Sequence, residues 1–285
     1  MTLQKLLQRI ARRIADTPVI GTALRAAIPN LHLSHRWKHP FDKAHGIEAN
    51  GYIDQRRLTI DKDFNEKING YMGVQPSVVR QALNTLPDLK EYSFVDLGCG
   101  KGRALVVASE FPFRHISGVE ISSKIARIAQ KNALIIKNRY PSRTKVEIIK
   151  GNAVDFPRSN RKIVLFNYNA FGTELMTQLL KNIERGLEQS IEHLFLIYHN
   201  PRCGVLPDSS PAMMRWYAGQ FSCDPSEQNF GPRIENPTVI WQSVKGAYPL
   251  RHAGADRMIL LTGVQSTALG NTISEGQTPS LIVSK

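Results

Sequence analysis

Between residues 92 and 198, short apolar runs alternate with longer stretches whose apolar residues recur every three or four positions. The runs at 93–97, 115–119, 145–149, 162–166 and 194–198 are too short for helices and read as buried strands. The stretches at 103–110, 122–137 and 173–187 read as helices, the second with Ser122 at its N-cap. This alternation predicts parallel strands joined by crossover helices, with ligands bound at the carboxyl ends of the strands. Upstream, Val78, Val79, Ala82, Leu83 and Leu86 mark the apolar face of a helix over 77–86, with Pro76 in its first turn. Downstream of Pro201 the pattern predicts a helix over 211–219 and then Pro- and Asn-rich turns. Two strand candidates, 238–243 and 257–261, are expected to form an antiparallel edge pair.

The ends of the chain differ from this centre. In residues 2–15, Leu3, Leu6, Leu7, Ile10 and Ile14 lie on one helical face, with Lys5, Arg9, Arg12 and Arg13 elsewhere around it. Such a helix either packs on its own domain or contacts an anionic membrane surface or a partner. A second short helix and a loop are expected over 21–40, with His32, His35 and His39 as surface residues without metal-ligand spacing. Residues 41–52 are turn-rich, and residues 264–285 are polar and read as a disordered tail. The expected division is thus a helical extension (1–40), one α/β domain (41–263) and the tail (264–285).

The net charge of +13 in 285 residues favours acidic partners such as nucleic acid or an anionic membrane, although it does not locate a patch. Three widely spaced cysteines (Cys99, Cys203, Cys223) offer neither a metal set nor a disulfide framework. With no long apolar run and no secretory signal, the expected setting is cytoplasmic, with peripheral membrane contact open through residues 2–15.

The chemistry concentrates at the end of the first central strand, Val95-Asp96-Leu97-Gly98-Cys99-Gly100-Lys101-Gly102-Arg103. Three glycines at alternate positions suit a tight turn with a ligand lying on the backbone. The spacing G-x-G-x-G differs from the dinucleotide pattern G-x-G-x-x-G, and Arg103 stands where the last glycine would be. Asp96 would repel a diphosphate and attract a cationic amino group. Glu120, at the end of the second strand, can accept hydrogen bonds from both hydroxyls of a ribose.

V-D-L-G-C-G-K-G resembles motif I of the class I S-adenosylmethionine-dependent methyltransferases. Ser117-Gly118-Val119-Glu120 resembles the end of their second strand. The resemblance implies a Rossmann-like, mostly parallel seven-stranded sheet with helices on both faces, following the helical extension. It implies S-adenosylmethionine as cofactor, held by Asp96, Gly98, Cys99, Gly100, Gly102 and Glu120. Asn152 and Ala153 would sit at the adenine, with Asp155 a second candidate there. The segment Phe41-Asp42 to Gly51 resembles one found ahead of motif I in an uncharacterised bacterial group of these enzymes. In the later stretch 70–76, which the resemblance places over the cofactor, Tyr71 and Gln75 are candidates for contacting it.

Phe166-Asn167-Tyr168-Asn169-Ala170-Phe171-Gly172 resembles the [DN]-P-P-[YF] motif of class I N-methyltransferases, with Ala170 where prolines would be. It is also similar to the N-N-F-A-F-G segment of the non-SET histone lysine methyltransferases. The resemblance implies that an Asn, 169 or 167, orients a target amine while Tyr168 and Phe171 pack against it. Asn169 would also reach the cofactor. His199, ending the fifth strand, either takes a proton from the amine or lines the pocket.

The expected function is methyl transfer to an amine or amide nitrogen of a protein lysine or a small molecule, without a metal. Two alternatives stay open: an RNA or other anionic substrate, and a cofactor-binding attachment protein without catalysis. The methyl acceptor is not named by the sequence.

Overall fold

The computed structural model describes residues 38–58, 64, 66–156, 161–227, 230 and 236–248. The amphipathic stretch 2–15, the helix expected within 21–40, the strand candidate 257–261 and the tail 264–285 lie outside these residues, apart from Lys38, His39 and Pro40.

A seven-stranded sheet forms the centre. Its strands are β3 (Ser93–Leu97), β4 (His115–Glu120), β5 (Val146–Lys150), β6 (Lys162–Tyr168), β7 (His193–His199), β8 (Met213–Gln220) and β9 (Pro237–Ser243). They lie in the order β5-β4-β3-β6-β7-β9-β8. The first five are parallel; β9 runs antiparallel to β7, and β8 antiparallel to β9. The order runs outward in two directions from the β3–β6 pair, which opens a crevice at their carboxyl ends.

Strand alternation divides the core in two. Phe94, Val164, Phe166, Phe195 and Ile197 face one side, packed with α2 (Pro76–Asn84) and α3 (Arg103–Ala108). Val95, Leu97, Ile163, Leu165 and Leu196 face the other, against α5 (Thr173–Gln189). Successive strand side chains point to opposite faces, so both sides of a central strand are apolar. Between β4 and β5 runs α4 (Ser123–Arg139), whose N-cap is Ser122. The Ser122 hydroxyl does not cap the helix; it donates to the Leu58 carbonyl at 2.6 Å.

Three expectations are corrected. Residues 213–220 are strand, not helix: a bulge between Arg215 and Tyr217 interrupts their alternation, and residues on both faces are buried, so the segment shows no period of two. Among the described residues β9 has β8 as its partner at the sheet edge, and the 257–261 stretch expected there lies outside them. The turn-rich segment after residue 40 opens with a short helix, α1 (Pro40–His45), ended by Gly46 at φ 73°. His39 is fully buried rather than on the surface. Its Nδ1 accepts from the Phe41 N–H at 3.1 Å and its Nε2 lies 2.8 Å from Gln75 Oε1.

Ahead of the sheet, β1 (Tyr52–Ile53) pairs antiparallel with β2 (Tyr71–Met72). This small ribbon and the residues after it form a roof over the carboxyl ends of the central strands.

Candidate active site

The cleft under this roof has a volume of about 1050 Å³, its open mouth included. Its floor is the glycine turn after β3. Gly98 and Gly100 line it with φ of 78° and 54°, which glycine adopts without cost. Little space remains above them. A Cβ on Gly100 would stand 2.3 Å from the Tyr71 ring, and one on Gly98 2.7 Å from Ala170 Cβ. Gly102 (φ 84°) lies behind the turn against Ala129 and Leu105 and does not line the cleft.

Asp96 and Glu120 project into this floor, and both are nearly excluded from solvent. Burial, with the neighbouring Glu120 adding to it, holds the Asp96 carboxyl well above the usual carboxylate range. Burial also raises Glu120, but backbone N–H groups partly offset it: Gly100 N donates to Oε2 at 2.9 Å and Ser122 N to Oε1 at 2.8 Å. Among the described residues neither carboxylate has a cationic partner. The nearby cations are committed elsewhere, Arg103 to Asp42 and Lys101 to Glu48 and the Asn50 carbonyl. Two buried acids at a glycine turn leave the site short of positive charge. That suits a ligand with an ammonium group and not a dinucleotide diphosphate.

The roof is tied down by buried side chains, among them Asp42 and Arg103, whose part in it the sequence alone does not show. Arg103 Nε and Nη2 donate to Asp42 Oδ1 and Oδ2 at 2.9 and 2.8 Å, and Nη2 and Nη1 also reach the Ala49 and Val74 carbonyls. Tyr71 donates its hydroxyl to the Ala49 carbonyl at 2.6 Å and lays its ring on Gly100. Gln75, expected with Tyr71 over the cofactor, is instead buried between His39 and the Glu227 carbonyl, outside the cleft.

Residues 52–190, just under half of the chain, match the family described as "Histone methylation protein DOT1". The match spans the glycine turn, both buried acids and the Asn–aromatic segment. The chain is a class I S-adenosylmethionine-dependent methyltransferase. No curated protein matches its sequence. Among solved structures, a putative RNA methyltransferase from Pyrococcus horikoshii is 13% identical, over 60% of this chain and 84% of its own, with a TM-score of 0.40. An RNA methyltransferase from Salinibacter ruber in complex with S-adenosylhomocysteine is 14% identical, over 65% and 100%, with a TM-score of 0.38. TrmK of M. capricolum, also with S-adenosylhomocysteine, is 14% identical, over 60% and 68%, with a TM-score of 0.40. S-adenosylmethionine, the methyltransferase's cofactor, supplies a methyl group on a positively charged sulfur.

At the far side of the cleft, β5 hands over to Asn152 and Ala153, which line the wall. Asn152 Oδ1 also caps the turn, accepting from the Val154 N–H at 3.3 Å. Asp155 is exposed and outside the lining.

The Asn–aromatic segment resolves into two unlike halves. Asn167 is the penultimate residue of β6, fully buried, and its Oδ1 accepts from the Ala170 N–H at 2.9 Å. It holds the turn and does not line the cleft. Asn169 lies beyond the strand at φ 42° and lines the cleft with Tyr168, Ala170 and Phe171. Its carbonyl accepts from Asn69 Nδ2 at 2.7 Å, and Asn69 N donates to the Ala170 carbonyl, stitching the roof to the β6 loop.

His199 does not line the cleft. It is buried, its Nδ1 2.9 Å from Thr238 Oγ1, and burial pulls it down to about 4, so the ring is neutral at pH 7. The next residue, Asn200, faces the cleft instead. The strand carries one residue further than its apolar run suggests, which moves the cleft-facing position by one. Among the described residues no cluster of three or more His, Cys, Asp or Glu is poised for a metal, and no helix is long and apolar enough to cross a membrane.

Proposed function

We propose that the methyltransferase acts on an amine nitrogen held at the end of β6. The observation that carries this reading is the placement of Asn169. It is a non-glycine residue at positive φ, a conformation that costs free energy and is retained where the surroundings enforce it. It stands in the cleft beside two aromatic residues, Tyr168 and Phe171. A neutral amide oxygen accepts from an amine N–H without stabilising the protonated, non-nucleophilic ammonium as a carboxylate would. The nitrogen lone pair forms the new N–C bond as the S–C bond breaks toward sulfur, and one N–H proton leaves to solvent. Holding the nitrogen in line supplies much of the rate.

In the same reading Asp96 takes the ammonium of the cofactor's amino-acid end and Glu120 its ribose hydroxyls. The backbone of Gly98, Cys99 and Gly100 lies beneath, with Gly102 shaping the turn from behind. Asn152 and Ala153 border the adenine.

A second reading, a nucleic-acid substrate, is favoured by one observation. Residues 121–150 carry eight Lys and Arg against a single acid, Glu147, and seven of the eight are exposed. That stretch, α4 and the edge strand β5, holds much of the net charge. A membrane contact through residues 2–15 rests on their sequence pattern alone.

The test is transfer of radiolabelled methyl from S-adenosylmethionine to a cell lysate. Label that survives mild base, unlike a methyl ester, and is absent with Asn169→Ala supports nitrogen as acceptor. Release by protease or by ribonuclease separates the two substrate readings. Base-labile label, or full labelling by Asn169→Ala, overturns the proposal.

A further inference from the structure

Asn169 has a counterpart on the next strand. β6 and β7 run parallel, and their last paired residues are Tyr168 and His199. One residue further on each strand come Asn169 and Asn200, with φ of 42° and 54°. They are the two non-glycine residues with positive φ among the described residues, and both line the cleft. Neighbouring strands stand about 4.8 Å apart, so the two asparagines leave the sheet side by side.

Asn200 also precedes Pro201, a position that disfavours helical backbone conformations. Its backbone is pinned: its N–H donates to the Pro237 carbonyl at 2.8 Å, and its own carbonyl accepts from the Arg202 N–H at 2.8 Å. Its side-chain amide, by contrast, has no hydrogen-bond partner among the described residues. The Asn169 amide is tethered from below, with Oδ1 3.4 Å from the Tyr198 hydroxyl, which in turn accepts from the Cys203 N–H. One amide is thus positioned and the other is free, at the same level of adjacent strands.

We propose that Asn169 and Asn200 together form the acceptor site, and that its substrate nitrogen is a primary amine or exocyclic amino group carrying two hydrogens. This rests on the reading of Asn169 above and extends it. A nucleophilic –NH₂ group has two N–H donors and one lone pair. A single acceptor leaves it free to rotate about that hydrogen bond. Two amide oxygens on adjacent strands fix both N–H directions, and the lone pair then has one direction left. Tyr168 and Phe171 pack beside the nitrogen, and burial raises the Tyr168 hydroxyl to about 12, so it stays neutral. A nitrogen already methylated once has a single N–H and leaves one amide unpaired, so the unmethylated amine is the preferred acceptor.

Sinefungin tests this without knowledge of the natural acceptor. It replaces the methylated sulfonium with a carbon bearing an ammonium, which places N–H donors at the acceptor site. Sinefungin and S-adenosylhomocysteine are titrated calorimetrically into wild type, Asn169→Gly, Asn200→Gly and Asn200→Asp. Glycine suits the positive φ at both positions, so these variants keep the backbone. Wild type is expected to bind sinefungin about tenfold more tightly than S-adenosylhomocysteine, as hydrogen bonds to a charged group imply. Asn200→Gly is expected to lose most of that advantage while its S-adenosylhomocysteine affinity stays within about twofold, and Asn200→Asp to enlarge it. An advantage unchanged in Asn200→Gly overturns the paired site, and so does a wild type that binds both ligands equally. Loss of the advantage in Asn169→Gly alone removes Asn200 but leaves the proposed function standing. Failure of wild type to bind S-adenosylhomocysteine overturns the cofactor site itself.

Discussion

Arg103 and Asp42, 61 residues apart in sequence, meet in a two-point ion pair with both side chains almost fully excluded from solvent. The pair joins the helix after the glycine turn to the segment that begins the roof. It accounts for an arginine where a dinucleotide fold would carry its last glycine, since the guanidinium needs that place to reach Asp42 and the Ala49 and Val74 carbonyls. Breaking a buried pair from one side strands the other charge. Arg103→Met and Asp42→Leu are each expected to lower the unfolding free energy by about 3–5 kcal/mol. The double variant is expected to lose less than their sum, measured by urea denaturation. Additive losses would mean that the two groups do not depend on each other.

Protons are expected to leave the protein when the cofactor product binds. Asp96 is held above its ordinary range by burial, first, and by Glu120. An ammonium beside it favours the ionised form and lowers that value again. Near and below the raised value, binding of S-adenosylhomocysteine releases protons, so its affinity rises with pH through that range. Calorimetry in buffers of different ionisation enthalpy measures the release. Asp96→Asn should abolish it and weaken binding, and an unchanged release in that variant would place the titrating group elsewhere.

Gly100→Ala is expected to cost the cofactor site while leaving the sheet intact. The added Cβ meets the Tyr71 ring at 2.3 Å and the backbone is at φ 54°, so the roof is displaced and the turn strained. Binding of S-adenosylhomocysteine should fall at least tenfold with little change in far-ultraviolet dichroism. Retained affinity would show that the roof is not seated as described.

The two asparagines of the β6 motif should separate stability from turnover. Asn167→Ala removes the buried acceptor of the Ala170 N–H and is expected to cost about 1–3 kcal/mol in unfolding free energy. Asn169→Ala should change stability by less and abolish methyl transfer while sparing cofactor binding. The reverse pattern would exchange their roles.

Acid should destabilise the protein through its buried histidines. His193 and His199 are both held near 4 by burial, below the 6.5 of an exposed histidine. Between those values the unfolded chain binds more protons than the folded one, so stability falls as pH drops from about 6.5 toward 4. The thermal midpoint of His199→Gln, compared with wild type at each pH, isolates one of them. Its deficit should shrink as pH falls, and a constant deficit would contradict the neutral, buried ring.

How far the sequence reached depended on whether a signal was local. The parallel central strands with their crossover helices are legible because short apolar runs alternate with helical periods, and the glycine turn and Glu120 because they sit at the ends of two such runs. Residues 213–220 do not show themselves as strand in the sequence because a bulge and two buried faces erase the period of two. The choice between Asn167 and Asn169 was open because it depends on where β6 releases the chain into a positive-φ turn, which composition does not encode. His199, expected to take a proton or line the pocket, does neither, because the strand continues through it and turns the imidazole inward, leaving Asn200 at the cleft. The burial of His39 is not visible locally because its partner Gln75 lies 36 residues away.

The central claim is a cleft built for S-adenosylmethionine, and calorimetric titration of the purified protein tests it most directly. S-adenosylmethionine and S-adenosylhomocysteine are expected to bind one per chain, each weakened at least tenfold by Glu120→Ala, with no heat from NADH. Absence of binding by the first two, or equal binding of NADH, would contradict the account.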